Sequence, residues 1–123
     1  MQRVLIVDDE QIVADTLTMV FEKSGFHAKA AYSTNHALDQ AREFQPDLLL
    51  CDISMPGKDG LFLVNEINRE LPDCRILVLT GFYSNHSAVH ETAARLSRRV
   101  PILTKPVHPE DLLREASAAL AHA

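Results

Sequence analysis

The chain has 123 residues, 46% of them apolar and 24% charged, with a formal net charge of -5. That length suits one domain over residues 1–123, and the balance suits a globule with a real core rather than a disordered chain. The acidic charge argues against a nucleic-acid surface over most of the molecule, and no run approaches the roughly eighteen apolar residues of a membrane span.

The start of the chain, Met1 to Asp9, has neither the apolar stretch nor the cleavage site of a signal peptide. Cys51 and Cys74 form no C-x-x-C and no disulfide framework. A reduced, cytoplasmic protein is the expectation. In chain order, Val4 to Val7 reads as a buried strand, and Val13, Leu17, Val20 and Phe21 follow at helical spacing up to the stop at Ser24-Gly25. Ala28 to Ala31 is the second strand. Ser33 or Thr34 can cap the next helix, whose stripe is Ala37, Ala41 and Phe44. Leu48 to Cys51 follows Pro46-Asp47 as the third strand, and Val64, Ile67 and Leu71 mark the third helix. Ile76 to Leu79 is the fourth strand; Val89, Ala93 and Leu96 stripe a fourth helix that Ser84 or Asn85 can cap. Pro101 places the last strand, Ile102 to Thr104, at a sheet edge. Pro109, Glu110 and Asp111 suit the first turn of a fifth helix striped by Leu112, Leu113, Ala116 and Leu120. Five successive βα units predict an α/β fold, a parallel sheet with helices on both faces.

Open sheets of this kind bind ligands at the carboxyl ends of their strands. The first strand ends in Asp8-Asp9-Glu10, the third in Asp52, the fourth in Thr80 and the fifth in Lys105-Pro106. Only the second, ending at Ala31-Tyr32, is expected to have no charged or hydroxyl group close by. Packed carboxylates repel by about 4 kcal/mol per pair at 4 Å and an effective dielectric of 20. They must therefore raise a pKa or hold a cation, and Mg²⁺ suits a site of few carboxylates and several waters. With a phosphoryl group added, one carboxylate would attack phosphorus, the metal and Lys105 would neutralise its oxygens, and the Thr80 hydroxyl would bind another oxygen.

These residues resemble the receiver domains of response regulators. Asp8-Asp9 looks like that family's acidic pair, Asp52-Ile53-Ser54-Met55-Pro56-Gly57-Lys58-Asp59-Gly60 matches its phosphoacceptor loop D-x-x-M-P-G-x-x-G, Thr80 its switch hydroxyl, and Lys105-Pro106 its lysine and proline. Each motif alone is weak, but the four in order over Arg3 to Leu120 are specific. The resemblance implies a flavodoxin-like doubly wound (βα)5 fold with strand order 2-1-3-4-5. It implies that Asp52 accepts phosphate from a sensor histidine kinase or a histidine phosphotransfer protein. Asp9, Asp52 and the Ser54 carbonyl would hold Mg²⁺, Asp8 would act mainly through bound water, and the Lys105-Pro106 peptide would be cis. The downstream protein target would bind the face of the fourth helix, fifth strand and fifth helix. Neither direct nucleic-acid binding nor membrane insertion is expected.

Three departures stand out. Ile102 occupies a position where the family usually carries Tyr or Phe. Ser97 to Pro101 replaces a Gly-Ala turn and brings Arg95, Arg98 and Arg99 near the output face, where they would meet an acidic partner. Phe82, two residues after Thr80, cannot position water, which predicts slow autodephosphorylation. Two other functions compete. A dehalogenase-like phosphatase needs D-x-D, and Ser54 stands where its general acid would be. A pseudo-receiver would keep the fold as a binding module without depending on phosphate; the intact site opposes that reading and Ile102 favours it. His86 and His90 sit at i, i+4 but read as exposed histidines, because no further ligand accompanies them. Cys51 should face the core away from Asp52, and Gly57 and Gly60 are expected to supply turn freedom.

Overall fold

In a computed structural model, which describes residues 2–53, 59–81 and 100–121, each of the five apolar runs is a strand. These are β1 (Arg3–Val7), β2 (His27–Ala31), β3 (Leu48–Asp52), β4 (Arg75–Thr80) and β5 (Ile102–Thr104). They form one sheet in the order β2-β1-β3-β4-β5, and every neighbouring pair is parallel. The order reverses between β1 and β3, so the loops leaving these two strands diverge and open a crevice at their carboxyl ends.

Four helices lie among the described residues: α1 (Gln11–Lys23), α2 (Thr34–Phe44), α3 (Asp59–Glu70) and α4 (Pro109–Ala121). The last corresponds to the fifth helical stripe of the sequence. The fourth stripe, with His86, His90 and Arg95, falls in 82–99, outside the described residues. None of the described helices is long and apolar enough to cross a membrane.

The two-residue period of a strand sorts the core into two layers. Leu5 and Val7, Leu49 and Cys51, Ile76 and Val78 face one side, where Ala37, Ala41 and Phe44 of α2 and Leu63, Val64 and Ile67 of α3 cover them. Val4 and Ile6, Leu48 and Leu50, Leu77 and Leu79 face the other, against Ala14 and Phe21 of α1 and Leu112 and Ala116 of α4. Burial on both faces is why β1, β3 and β4 read as unbroken apolar runs.

The edges differ from the centre. β2 is only partly buried, because Lys29 points outward with its ammonium 5.1 Å from the centre of the Phe44 ring. The apolar run Ala28 to Ala31 reads as a buried strand in the sequence, but an edge position leaves room for this lysine to lay its apolar stem over an aromatic face. β5 forms the opposite edge, as Pro101 predicts, and the Pro101 carbonyl accepts the Val78 N–H at 3.0 Å.

The sequence's punctuation marks act as predicted at α1 and α2. Ser33 caps α2 by accepting the His36 N–H, and α1 ends at Ser24 with Gly25 at φ 96°, a backbone shape that glycine adopts without strain. Gly60 has a different reason from the expected turn freedom. It lies in the first turn of α3, and a Cβ there would fall 2.6 Å from the Ile53 Cα. Close approach of α3 to the end of β3, not backbone freedom, requires glycine at this position.

Candidate functional site

β1 and β3 are hydrogen-bonded neighbours with Val7 opposite Cys51, so the residues that follow, Asp8 and Asp52, leave the sheet side by side. Asp8 is 1% exposed and Asp52 4% exposed, whereas Asp9 lies at the surface. Carboxylate oxygens of Asp8, Asp9 and Asp52 all lie within 4.8 Å of one another. Lys105 starts from the end of β5, where its N–H donates to the Thr80 carbonyl at 2.8 Å. Its long side chain crosses the end of β4 and places Nζ 2.5 Å from Asp52 Oδ2 and 3.4 Å from Asp8 Oδ2. The peptide between Lys105 and Pro106 is cis, as the family resemblance implied.

Among the described residues one ammonium, that of Lys105, serves these two buried carboxylates. Desolvation raises the Asp8 pKa from its ordinary 3.8 to about 6 against the opposing hydrogen bond from the Glu10 N–H, and the neighbouring Asp52 charge pushes the same way. Burial pulls the Lys105 ammonium down, but its hydrogen bond to Asp52 and the two carboxylate charges outweigh burial and raise its pKa. Lys105 therefore stays charged at neutral pH.

Thr80 ends β4 fully buried, and its Oγ1 has no hydrogen-bond partner among the described residues. A buried hydroxyl with unmet bonding is uncommon in a folded core, because leaving it so costs about 1–3 kcal/mol. Its place is one residue beyond Leu79, the residue paired with Asp52.

The donor set suits a hard divalent cation. It offers carboxylate oxygens of the kind Mg²⁺ takes as ligands, one of them on the exposed Asp9, where waters could complete a coordination shell. Cys51 takes no part. Its thiol points to the other layer, toward the Gly60 carbonyl at 3.9 Å, and burial pushes its pKa up so that it stays a neutral thiol.

The structure thus brings together Asp8, Asp9, Asp52 and Lys105 and sets Thr80 on the adjoining strand end. Ser54, Phe82, Arg98 and Arg99 lie outside the described residues. Ile102 is half-buried opposite Val78 and packs against the layer under α2 and α3. Beside the site, an apolar cleft of about 460 Å³ is lined by Val13 and Leu17 of α1, Leu79, Leu112 of α4 and the Lys105–Val107 turn. On the exposed side of α1, one turn past Asp9, Ile12 is 83% exposed.

One expectation needs correction. The end of β2 is not without polar groups: the Tyr32 hydroxyl donates to Asp15 at 2.6 Å, and His36 lies against the Tyr32 ring and backbone. The signal available was the i, i+4 spacing of Tyr32 and His36 across a helix start, which joins a strand end to the first turn that follows it.

Comparison with known proteins agrees with this geometry. The chain matches the family model of the response regulator receiver domain over residues 4–117. It is similar to the crystal structure of a CheY-like response regulator receiver domain protein from Methanospirillum hungatei JF-1, with 26% identity, a TM-score of 0.85, and coverage of 98% of this chain and 94% of that one. The receiver domain of NtrX from Brucella abortus superposes with a TM-score of 0.84 at 25% identity, over 98% of this chain and 99% of that one. Against a longer NtrX chain, crystallised with ATP, the TM-score is also 0.84 at 26% identity, and the match covers 97% of this chain but 27% of that one.

Proposed function

The chain belongs to the response regulator receiver domain family, and from that premise we propose that it is a phosphorylation-controlled switch in which Asp52 accepts a phosphoryl group. The observation that carries this reading is the buried Asp52 carboxylate held 2.5 Å from the Lys105 ammonium, with Asp8 and Asp9 alongside.

The donor is a phosphohistidine on a sensor kinase or a phosphotransfer protein. An Asp52 oxygen attacks phosphorus, the P–N bond breaks, and its electron pair returns to the donor's imidazole. The Lys105 ammonium swings from the carboxylate pair to the incoming phosphoryl oxygens. The Thr80 hydroxyl, which has no partner among the described residues, donates to another of those oxygens and carries its strand end toward them. Asp8, Asp9 and Asp52, with the Ser54 carbonyl, would hold Mg²⁺, which when bound supplies charge neutralisation at the phosphoryl group. Ile12 and the cleft between α1 and α4 form an apolar surface beside Asp9 on which the donor protein can rest. Movement at Thr80 then shifts a two-state equilibrium in the face that binds the downstream target. The proposed setting is the cytoplasm.

Ile102 favours one alternative, a binding module that no longer responds to phosphate. An aliphatic side chain there offers no ring to turn when Thr80 moves. Intact mass after incubation with acetyl phosphate and Mg²⁺ separates the two. The switch predicts a single phosphoryl adduct on the wild type, none on Asp52→Asn and none in excess EDTA. No adduct on a folded wild type, from acetyl phosphate or from a phosphohistidine donor, would leave the binding module.

A further inference from the structure

Tyr32, the first residue after β2, lies outside the carboxylate cluster, yet its peptide group is held from both sides. The Ala31 carbonyl accepts the Asp8 N–H at 3.1 Å. The N–H of that same Ala31–Tyr32 peptide donates to Nδ1 of His36 at 3.3 Å. A backbone N–H cannot turn round, so Nδ1 must carry a lone pair, and the neutral ring's proton is on Nε2. The Gln40 side chain agrees. Its carboxamide lies 3.2 Å from His36 Nε2, and as an N–H donor it would find a second N–H there, while its Oε1 is buried without a partner among the described residues. Turning the amide end for end gives Oε1 the His36 N–H. The Tyr32 ring packs beside the imidazole, with centroids 5.6 Å apart, and its hydroxyl is tied to Asp15 of α1. This pins His36 against the strand end.

We propose that His36, as its Nε2–H tautomer, is a positioning residue for the carboxylate site: through the Ala31–Tyr32 peptide it fixes the backbone N–H of Asp8. Hydrogen bonds in series polarise one another, so the lone pair on Nδ1 strengthens the Ala31 carbonyl as an acceptor. The partner it grips is the residue whose carboxylate bonds Lys105 and sits beside Asp52. In the same way, groups behind a metal ligand set that ligand's orientation. His36 touches neither phosphate nor metal in this scheme. The role deepens the proposed function and rests on it only where phosphorylation is the readout.

The test uses wild type, His36→Leu and His36→Asn. Asparagine is chosen because its Oδ1 can accept the Tyr32 N–H from nearly the place of Nδ1. Nitrogen NMR of the wild-type ring should show a proton on Nε2 alone. Exchange of the Asp8 amide, taken relative to the Leu49 amide in the core as a gauge of global opening, should be about tenfold faster in His36→Leu and within about twofold of wild type in His36→Asn. Acetyl phosphate labelling of Asp52 should slow several-fold in the leucine variant and recover in the asparagine variant. A proton on Nδ1 in the wild type, or an Asp8 amide indifferent to the leucine change, would overturn the proposal. So would an asparagine variant no better than leucine. If no protein takes up phosphate, the proposed function fails instead, and the ring and amide measurements still decide the role of His36.

Discussion

The two ends of the sheet use aspartate in opposite ways. At the amino end, Asp47 precedes β3, and its carboxylate accepts the Arg3 N–H at 2.8 Å while its own N–H and carbonyl bond Arg3 and Arg75. That arrangement stitches three strands together, and the charge stays half in water. At the carboxyl end, Asp8 and Asp52 are buried side by side with one lysine between them. The first arrangement stabilises the fold. The second strains it, since burial and the neighbouring Asp52 charge make Asp8 costly to ionise. That cost is what the proposed function would put to use.

The sharpest way to break this contrast is Lys105→Ala. Without the ammonium, acetyl phosphate labelling of Asp52 should slow by about a hundredfold to a thousandfold, measured by intact mass at temperatures where circular dichroism shows the variant still folded. Undiminished labelling would mean that the lysine serves packing alone.

Next in size is the pH response of Asp8. Its folded pKa of about 6 exceeds the ordinary 3.8, so the folded state holds this proton more tightly than the unfolded chain. The stability it contributes is complete below about pH 4 and is lost as pH rises through about 6. Metal-free Asp8→Asn should therefore equal wild type near pH 4 and exceed it near pH 8, by up to about 3 kcal/mol. Urea melts at the two pH values give the comparison, and a variant less stable at both would reverse the sign.

A cation should act on the same strain. Mg²⁺ at tenfold over its dissociation constant would stabilise the fold by about 1.4 kcal/mol, and Asp52→Asn should lose most of that shift in a melting experiment. The smallest effect belongs to the other end of the sheet. Asp47→Ala removes one hydrogen bond to the Arg3 N–H and should lower stability by about 1 kcal/mol, with no change in labelling rate.

Much of this was legible along the chain. The apolar runs are short and bounded by Gly, Pro or Asp, and their order with the helical stripes left one fold class open. The residues that end the strands could be read without coordinates, because a parallel sheet forces all its carboxyl ends to one edge. Gly60 shows the limit. The sequence marks a glycine in a loop-to-helix junction, but whether it serves a positive φ or a close contact depends on how near α3 comes to Ile53. Tyr32 and His36 show it again. Neither spacing nor composition tells that the Tyr32 peptide is shared between Asp8 and His36, residues 28 positions apart.

The sequence by itself determined which residues arrive at the site, since strand period and turn chemistry are local properties of the chain. Tertiary structure alone decided their condition. It made Asp8 buried and Asp9 exposed, although they are adjacent and chemically identical. It brought Lys105 from 53 positions away to within hydrogen-bond distance of Asp52, and it left the Thr80 hydroxyl enclosed. Burial and charge coupling arise only where distant segments meet, and these two effects, not the residue type, set how readily Asp8 gives up its proton.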